Sequence, residues 1–166
     1  MTRREFIGMA SVGAVAVAIA ARVAFTAKLP EVSGETFPVQ HSDAEWRALL
    51  PPSGYKILRQ AGTEAPFSSP LLGEHRPGLF ACLGCDQHLF DARTKYDSHT
   101  GWPSFWDVLP QAIIKRDDSS IGMSRTEVRC ARCGGHLGHV FTDGPQPTGL
   151  RYCMNGAAMA FQHATA

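Results

Sequence analysis

The chain carries no excess of either charge, and this already excludes some kinds of protein. Charged residues make up 19% of its 166 residues, and the formal net charge is +1. A nucleic-acid-binding domain is usually strongly basic, so no nucleic-acid partner is expected. Hydrophobic residues make up 44% of the chain, which is enough for a packed core and argues against global disorder. The 16 glycines and 11 prolines favour a turn-rich, mainly β fold.

The chain also lacks the even number of cysteines that complete disulfide pairing would require. With five cysteines, disulfides within one chain cannot pair all of them. Four form two C-x-x-C pairs, Cys82 with Cys85 and Cys130 with Cys133, and Cys153 stands alone 20 residues after the second pair. The arrangement therefore separates a four-cysteine group from one free thiol.

The four-cysteine group predicts a structural zinc site. A glycine lies beside the second cysteine of each pair, where a tight turn lets backbone N–H groups point at the thiolates. Four thiolates complete a tetrahedral zinc shell and leave no open position for catalysis. Two disulfides, a redox-active C-x-x-C and an iron–sulfur cluster remain alternatives, although neither pair is followed by the helical pattern expected of a redox C-x-x-C.

Residues 1–30 predict an export signal that is not part of the fold. Arg3 and Arg4 precede an almost uninterrupted Ala/Val/Ile run that extends to Ala21. A basic start followed by a short apolar stretch of small residues is typical of a signal peptide, and the consecutive arginines resemble the twin-arginine signal of bacterial export. We therefore expect a periplasmic protein, which contacts the membrane only if this segment is retained as an anchor. A buried helix interrupted by Arg22 is the remaining alternative.

The rest of the chain is predicted to form one domain over residues 42–162. Residues 31–41 lack periodicity and predict a linker, and residues 163–166 predict a short C-terminal tail. No internal repeat is present beyond the two C-x-x-C pairs.

Helices are expected only at the start of this domain. Ser42 and Glu45 have the spacing of a capping box, which predicts a short helix that Pro51 and Pro52 end. A second short helix is predicted over Tyr55–Gln60.

Later segments are short, apolar or alternating, and are bounded by turn residues. These features predict strands, with a turn at residues 117–120. The four clearest segments are Ile113–Arg116, Glu127–Arg129, Val140–Phe141 and Leu150–Tyr152.

Cys153 is a candidate nucleophile because it is the thiol left over from the four-cysteine group. Arg151 lies two residues away and would favour the thiolate if the two side chains meet. His136 and His139 follow the second C-x-x-C closely, so a metal there would fix their positions. The alternatives are a buried cysteine acting as a small hydrophobe and histidines with structural hydrogen bonds. Beside a lone cysteine, the histidine pair is a candidate proton donor.

Two tryptophans lie within the segment Gly101–Trp106, where Gly and Pro hold an aromatic cluster. Such a cluster usually packs in a core. An indole face can also form a wall for a methyl or thioether group, so Trp102 is a candidate site residue.

Together these motifs resemble a known family, the B-type peptide methionine sulfoxide reductases. The resemblance covers residues 42–162 and is carried by GTEAPF, CLGC, KYDSHTGWPSFW and RTEVRCARCGGHLGHVFTDGPQPTGLRYCMN. It implies two twisted antiparallel sheets (a β-tent) with short N-terminal helices, and one structural Zn²⁺ per chain held by the four cysteines. A monomer is expected.

The resemblance also implies an activity and roles for single residues. The family reduces the R epimer of methionine sulfoxide, free or in oxidised proteins, to methionine. Cys153 would attack the sulfoxide sulfur and become a sulfenic acid, and His139 and Asn155 would bind and protonate the sulfoxide oxygen with help from His136. Trp102 would form the wall for the substrate methyl group. The remaining two predicted site residues, which would orient the histidines and support the thiolate, are Asp143 and Arg151.

The chain departs from the family pattern at two places. Many members carry a resolving cysteine before the GWPS motif, where this chain has His99 and Thr100. We therefore expect the sulfenic acid to be reduced by an external thiol, either a thioredoxin-like protein or a small thiol. The family commonly continues after the nucleophile with Ile-Asn-Ser, whereas this chain has Gly156 in place of the serine. With an export signal, the expected role is repair of exported proteins.

Two rival hypotheses remain. A non-catalytic zinc module with the same fold would make Cys153 dispensable, but it has no need of Cys153, Asn155, His139 and Trp102 together. A zinc ribbon that grips nucleic acid conflicts with the near-neutral charge.

Overall fold

The computed structural model describes residues 35–120 and 122–164. The predicted signal segment, residues 31–34 of the predicted linker and the last two residues of the predicted tail lie outside these ranges. Within the described ranges, every helix is too short or too polar to cross a membrane.

The first helix, α1, spans Asp43–Leu49 and begins at the predicted capping box. The Ser42 side chain accepts a hydrogen bond from the backbone N–H of Glu45, and the Glu45 carboxylate accepts one from the backbone N–H of Ser42 at 2.7 Å. The helix buries Trp46 against the core. The predicted first helix is confirmed.

The second helix, α2, spans Pro52–Gln60 and begins three residues before the predicted start. Proline is tolerated at the first position of a helix because its missing N–H would have no partner there. Pro52 therefore opens the second helix, although the sequence analysis treated it only as the end of the first. The buried face of α2 includes Ile57 and Leu58.

Within the described part of the chain, nine strands form two antiparallel sheets. The smaller sheet has the order β2-β1-β9, and the larger sheet has the order β3-β4-β8-β7-β6-β5. The fold is therefore mainly β with two short helices, as predicted. The strands are β1 Gly78–Cys82, β2 His88–Asp91, β3 Lys95–Tyr96, β4 Ser104–Phe105, β5 Ile113–Asp118, β6 Arg125–Cys130, β7 His136–Phe141, β8 Arg151–Met154 and β9 Met159–His163.

The four predicted strands correspond to β5 to β8, and each is longer than or shifted from its predicted bounds. Strand β5 runs to Asp118, two residues into the predicted turn. Two sheets were predicted, but the individual strands of the smaller sheet were not, because β1 and β2 are short and flank the turn of the first C-x-x-C. Its strand β9 extends to His163, which pairs with Gly78, so the predicted tail contributes one residue to the sheet.

The core lies where the apolar faces of the two sheets meet. Phe80 of β1 lies edge-on to Phe105 of β4, with ring centroids 4.9 Å apart, and Phe90 of β2 stacks on Phe105 at 4.3 Å. Tyr152 and Met154 of β8 are buried in the same cluster. A fully buried side chain of this size contributes about 1.5–3 kcal/mol to folding, so this cluster fixes which face of β8 points inward.

Residues 35–41 of the predicted linker have no regular secondary structure, but they contact the domain beside the second C-x-x-C. Val39 donates a backbone hydrogen bond to Arg132 at 2.9 Å. The Phe37 ring lies so close to Gly134 that an added Cβ would come within 2.4 Å of it. This segment covers the turn that holds the second cysteine pair.

Candidate active site and metal centre

The four paired cysteines lie together as free thiols. All their sulfur atoms are within 4.8 Å of one another, and the separations are 3.7 Å between Cys82 and Cys133 and 3.5 Å between Cys85 and Cys130. Disulfide sulfurs would be about 2 Å apart. Four sulfurs about 2.3 Å from a central zinc ion would be about 3.8 Å apart. The donor set and its spacing therefore fit a tetrahedral metal site and not two disulfides.

This cysteine cluster joins the two sheets. Cys82 is the last residue of β1 in the smaller sheet, and Cys130 is the last residue of β6 in the larger sheet. Two arginines support the turns that follow. Arg59 of α2 donates to the carbonyl of Cys133 at 3.0 Å, and Arg132 donates to the carbonyl of Cys85 at 2.7 Å.

The two C-x-x-C turns have the same backbone form. The residue after the second cysteine is left-handed in both, with φ of 56° at Asp86 and 68° at Gly134. Each donates its backbone N–H to the carbonyl of the first cysteine at 2.9 Å. The sequence placed a glycine beside each second cysteine, but in the first turn the left-handed position belongs to an aspartate, which tolerates that conformation.

Cys153 lies in the middle of the larger sheet, in one row with three polar residues. It stands opposite Ser104 of β4 on one side and opposite His139 of β7 on the other. His139 in turn stands opposite Glu127 of β6. Opposite residues of antiparallel strands project from the same face. The strand register therefore brings together side chains from four strands, from position 104 to position 153 of the sequence.

The Cys153 thiol is half-buried, and burial raises its pKa above the ordinary value. Three polar groups oppose this effect: the Thr100 hydroxyl, whose oxygen is 3.9 Å from the sulfur, the Arg151 guanidinium and the Ser104 hydroxyl. Ser98 links the two hydroxyls, at 2.8 Å to Thr100 and 2.7 Å to Ser104. Because the pKa is raised, the thiol is protonated at neutral pH in the free protein, and its chemistry needs a nearby base.

The thiol faces a cleft of about 200 Å³. Four of the predicted catalytic and substrate-binding residues line it, whereas His136, Asp143 and Arg151 do not. The lining residues are Thr63, Trp102, Arg125, Gly138, His139, Phe141, Cys153 and Asn155.

The two predicted histidines each bond to a carboxylate that the sequence analysis did not select. His136 Nδ1 is 2.7 Å from Glu127, and His139 Nε2 is 2.8 Å from Asp118. The rings lie edge to face, 5.5 Å apart. Burial lowers the pKa of His139, and the Asp118 hydrogen bond opposes that effect only in part, so its imidazole is neutral at pH 7.

Asp143, which was predicted to orient the histidines, instead holds Arg151. The guanidinium donates to both carboxylate oxygens, at 2.9 and 2.8 Å, and its carbon lies 4.4 Å from the centre of the Phe141 ring. This fork fixes Arg151 on the same face of β8 as Cys153, where its positive charge lowers the pKa of the thiol.

Glu64 connects Trp102 and Asn155, two predicted site residues that both line the cleft. Its backbone carbonyl accepts from Trp102 Nε1 at 3.1 Å, and its backbone N–H donates to Asn155 Oδ1 at 3.0 Å. Its carboxylate accepts from the backbone N–H groups of Gly156 and Ala157 at 2.5 and 3.0 Å. Asn155 Nδ2 also donates to the Leu137 carbonyl at 3.1 Å and keeps a second N–H beside the cleft.

Gly156, which replaces the usual serine of the family, has a structural explanation. A Cβ added there would lie 1.8 Å from the hydroxyl oxygen of Ser69. Ser69 is buried, and its hydroxyl accepts from the backbone N–H of Leu71 at 3.1 Å. The space of a side chain at residue 156 is thus filled by a serine from another segment, and the backbone order there is kept by Glu64.

Most of the residues that sequence reasoning missed form hydrogen bonds to the predicted site residues. Asp118 was placed in a turn, and Glu127 and Arg125 were treated only as parts of a strand or motif. Glu64 lies in GTEAPF, which contributed to the family resemblance but was given no role. The alternating charges of β6, at Arg125, Glu127 and Arg129, were the available signal, since they predict one polar face of that strand.

Comparison with known proteins identifies the family of this chain. The SelR domain family model matches residues 50–163. The peptide methionine sulfoxide reductase MsrB of Agrobacterium fabrum is 54% identical over 75% of this chain and 93% of its own length. The MsrB proteins of Leptospira interrogans and Leifsonia xyli are 50% and 52% identical over 76% of this chain, and over 97% and 92% of their own lengths. The chain therefore belongs to the SelR-domain family of MsrB-type oxidoreductases.

Proposed function

We propose that this protein reduces the R epimer of methionine sulfoxide, free or in oxidised proteins, to methionine. The observation that carries the proposal is the position of Cys153, a free thiol at a cleft walled by Trp102 and His139. The three MsrB proteins compared above are named peptide methionine sulfoxide reductases, which supports methionine sulfoxide as the substrate class, and their similarity extends over nearly their whole length.

The first step is a two-electron exchange between two sulfur atoms. The thiolate of Cys153 attacks the sulfoxide sulfur, the sulfur–oxygen bond breaks, and the oxygen ends on Cys153 as a sulfenic acid while the thioether leaves. The sulfoxide sulfur gains the two electrons that the cysteine sulfur loses. The thiol proton must leave Cys153 and reach the departing oxygen, and neutral His139 is the base beside it in the cleft.

The other site residues bind and orient the substrate in this proposal. The indole of Trp102 forms the wall against the substrate methyl group, and the free N–H of Asn155 donates to the sulfoxide oxygen. Arg151, held by Asp143, stabilises the thiolate. His136 does not line the cleft, so it would assist only through its ring contact with His139.

The second step returns Cys153 to the thiol with two external thiols. They become a disulfide, and the sulfenic oxygen leaves as water. At the position where many family members carry a resolving cysteine, this chain has His99 and Thr100; the Thr100 hydroxyl oxygen lies 3.9 Å from the Cys153 sulfur and cannot form a disulfide. A thioredoxin-like protein or a small thiol is therefore the proposed reductant.

The cysteine cluster is proposed to hold one Zn²⁺ with a structural role. When bound, the ion would neutralise thiolate charge and lock the ends of β1 and β6 together. Because Cys82, Cys85, Cys130 and Cys133 fill all four positions, no site for substrate remains on the metal.

The activity is tested with the two epimers of a methionine sulfoxide peptide and excess dithiothreitol. We expect turnover of the R epimer and turnover of the S epimer at least about tenfold lower, since a tenfold ratio needs only 1.4 kcal/mol of transition-state discrimination. Methionine formation is measured by chromatography. Preference for the S epimer, or no turnover of either, would contradict the proposal.

We further propose that the protein is exported to the bacterial periplasm by the twin-arginine route and repairs exported proteins. The motivation is the Arg3–Arg4 pair and the apolar run after it. Replacing both arginines by lysine is expected to keep the protein in the cytoplasm, as measured by cell fractionation and immunoblotting. An unchanged periplasmic fraction in the double variant would rule out this route.

A further inference from the structure

We propose that Asp118 is the positioning residue of a Cys153–His139–Asp118 relay, in which Asp118 fixes the ring orientation and tautomer of His139. The inference rests on the proposed function, because His139 must move the thiol proton of Cys153 to the sulfoxide oxygen. Asp118 itself lies outside the cleft lining and acts through the histidine.

The strand register brings Asp118 to the same face as His139. Asp118 is the last residue of β5 and stands opposite Arg125, the first residue of β6. Glu127 is two residues further along β6 and stands opposite His139. Residues two apart on a strand share a face. All four side chains therefore project from the face that carries Cys153, and they bring charge to it from two neighbouring strands.

The carboxylate of Asp118 is held in place from three directions. His139 Nε2 is 2.8 Å from Oδ2, Arg125 donates to the same oxygen at 2.5 Å, and the backbone N–H of Ser120 donates to Oδ1 at 2.9 Å. The hydrogen bonds of Ser120, followed by those of His139 and Arg125, hold the pKa of Asp118 well below its usual range. An ionised carboxylate can only accept hydrogen bonds. Nε2 of His139 must therefore carry a hydrogen and donate it to Oδ2 of Asp118.

This tautomer leaves Nδ1 as the basic nitrogen of His139. The ring is 14% exposed and lies opposite Cys153 on the neighbouring strand, at the wall of the cleft. Nδ1 is then free to accept the thiol proton, while the Asp118 charge stabilises the imidazolium that forms. A carboxylate that orients a catalytic histidine in this way is a recurrent arrangement in nucleophilic enzymes.

Several charged or titratable groups face His139 in addition to Asp118. Strand β6 contributes Arg125 and Glu127, β7 contributes His136, and β8 contributes Arg151 and Cys153. Arg125 and His136 lower the pKa of His139, whereas Asp118 raises it. Loss of the Asp118 charge must therefore move the pKa of His139 to a lower value.

The test compares Asp118→Asn with Asp117→Asn, a matched change at the exposed neighbouring position on the other face of β5. We expect kcat for the R epimer to fall about 10- to 100-fold in Asp118→Asn with KM nearly unchanged, as for other outer partners of a functional histidine. The acid limb of its pH–rate profile should move to lower pH, because a less basic His139 stays neutral further into the acid range. Asp117→Asn should match the wild type in both respects.

An unshifted acid limb, or equal losses in the two variants, would overturn the positioning role. Turnover of the R epimer by the wild type is measured first, so failure of the proposed function is recognised separately. A second measurement needs no variant: long-range ¹H–¹⁵N correlation of the wild-type histidine side chains. The proposal requires the neutral His139 ring to carry its hydrogen on Nε2, and a hydrogen on Nδ1 would overturn it.

Discussion

Replacing Cys153 by serine is expected to abolish reduction of methionine sulfoxide while the fold stays intact. Removal of a nucleophile typically costs on the order of 10³-fold or more in kcat. Serine keeps the size of the side chain, and its hydroxyl can still approach Thr100 and Ser104, so neither β8 nor the core loses a contact. Activity toward the R epimer is measured beside the melting temperature, which should not change.

The same variant tests the intermediate and its fate. Wild-type protein treated with one equivalent of substrate, without reductant, should give one adduct with a sulfenic-acid reagent by mass spectrometry, and Cys153→Ser should give none. Equal turnover by the two proteins would disprove the role of Cys153. A disulfide between Cys153 and a cysteine of the cluster would instead show that no external thiol attacks the sulfenic acid directly.

Stripping the metal is expected to unfold the domain. Structural zinc contributes apparent binding free energies of about 10–16 kcal/mol, whereas a domain of this kind is stable by only about 5–15 kcal/mol. Here Cys82 ends a strand of the smaller sheet and Cys130 ends a strand of the larger sheet. Loss of the metal would therefore remove a link between the two sheets as well as loosen the C-x-x-C turns. Circular dichroism with a strong chelator and a phosphine reductant should show loss of the folded signal.

A matched pair of cysteine variants separates the two kinds of thiol. Cys85→Ser should lose both metal, measured by elemental analysis, and most of the thermal transition. Cys153→Ser should bind one metal ion per chain as the wild type does. A metal-free wild type that melts at an unchanged temperature would contradict the structural role of the site.

The features that the sequence predicted well are those encoded by neighbours in the chain. The capping box of α1 and the two C-x-x-C turns depend on residues three apart, and their geometry follows from local hydrogen bonds. Grouping Cys82 and Cys85 with Cys130 and Cys133 needed only metal chemistry, because two C-x-x-C pairs supply the four thiolates of a closed zinc shell.

The carboxylates of the site could not be predicted in the same way. Whether Asp118 or Asp143 reaches His139 depends on which strands are adjacent and in what register, and one residue of slip moves every side chain to the other face. Glu64 is held by bonds to residues 91 to 93 positions later in the chain, and no local pattern records these. The family resemblance supplied candidate residues but not these contacts.

The alternation of side chains along β8 has a consequence for mutational tolerance. Tyr152 and Met154 are buried, and Cys153 between them faces the cleft, so the packing that fills the interior also aims the thiol. An insertion or deletion of one residue in this strand would reduce stability as well as activity, since it would bury the Cys153 sulfur and expose the Tyr152 ring. Selection that preserves the buried packing of Tyr152 and Met154 therefore also preserves the direction of the Cys153 side chain, even where oxidants are rarely encountered.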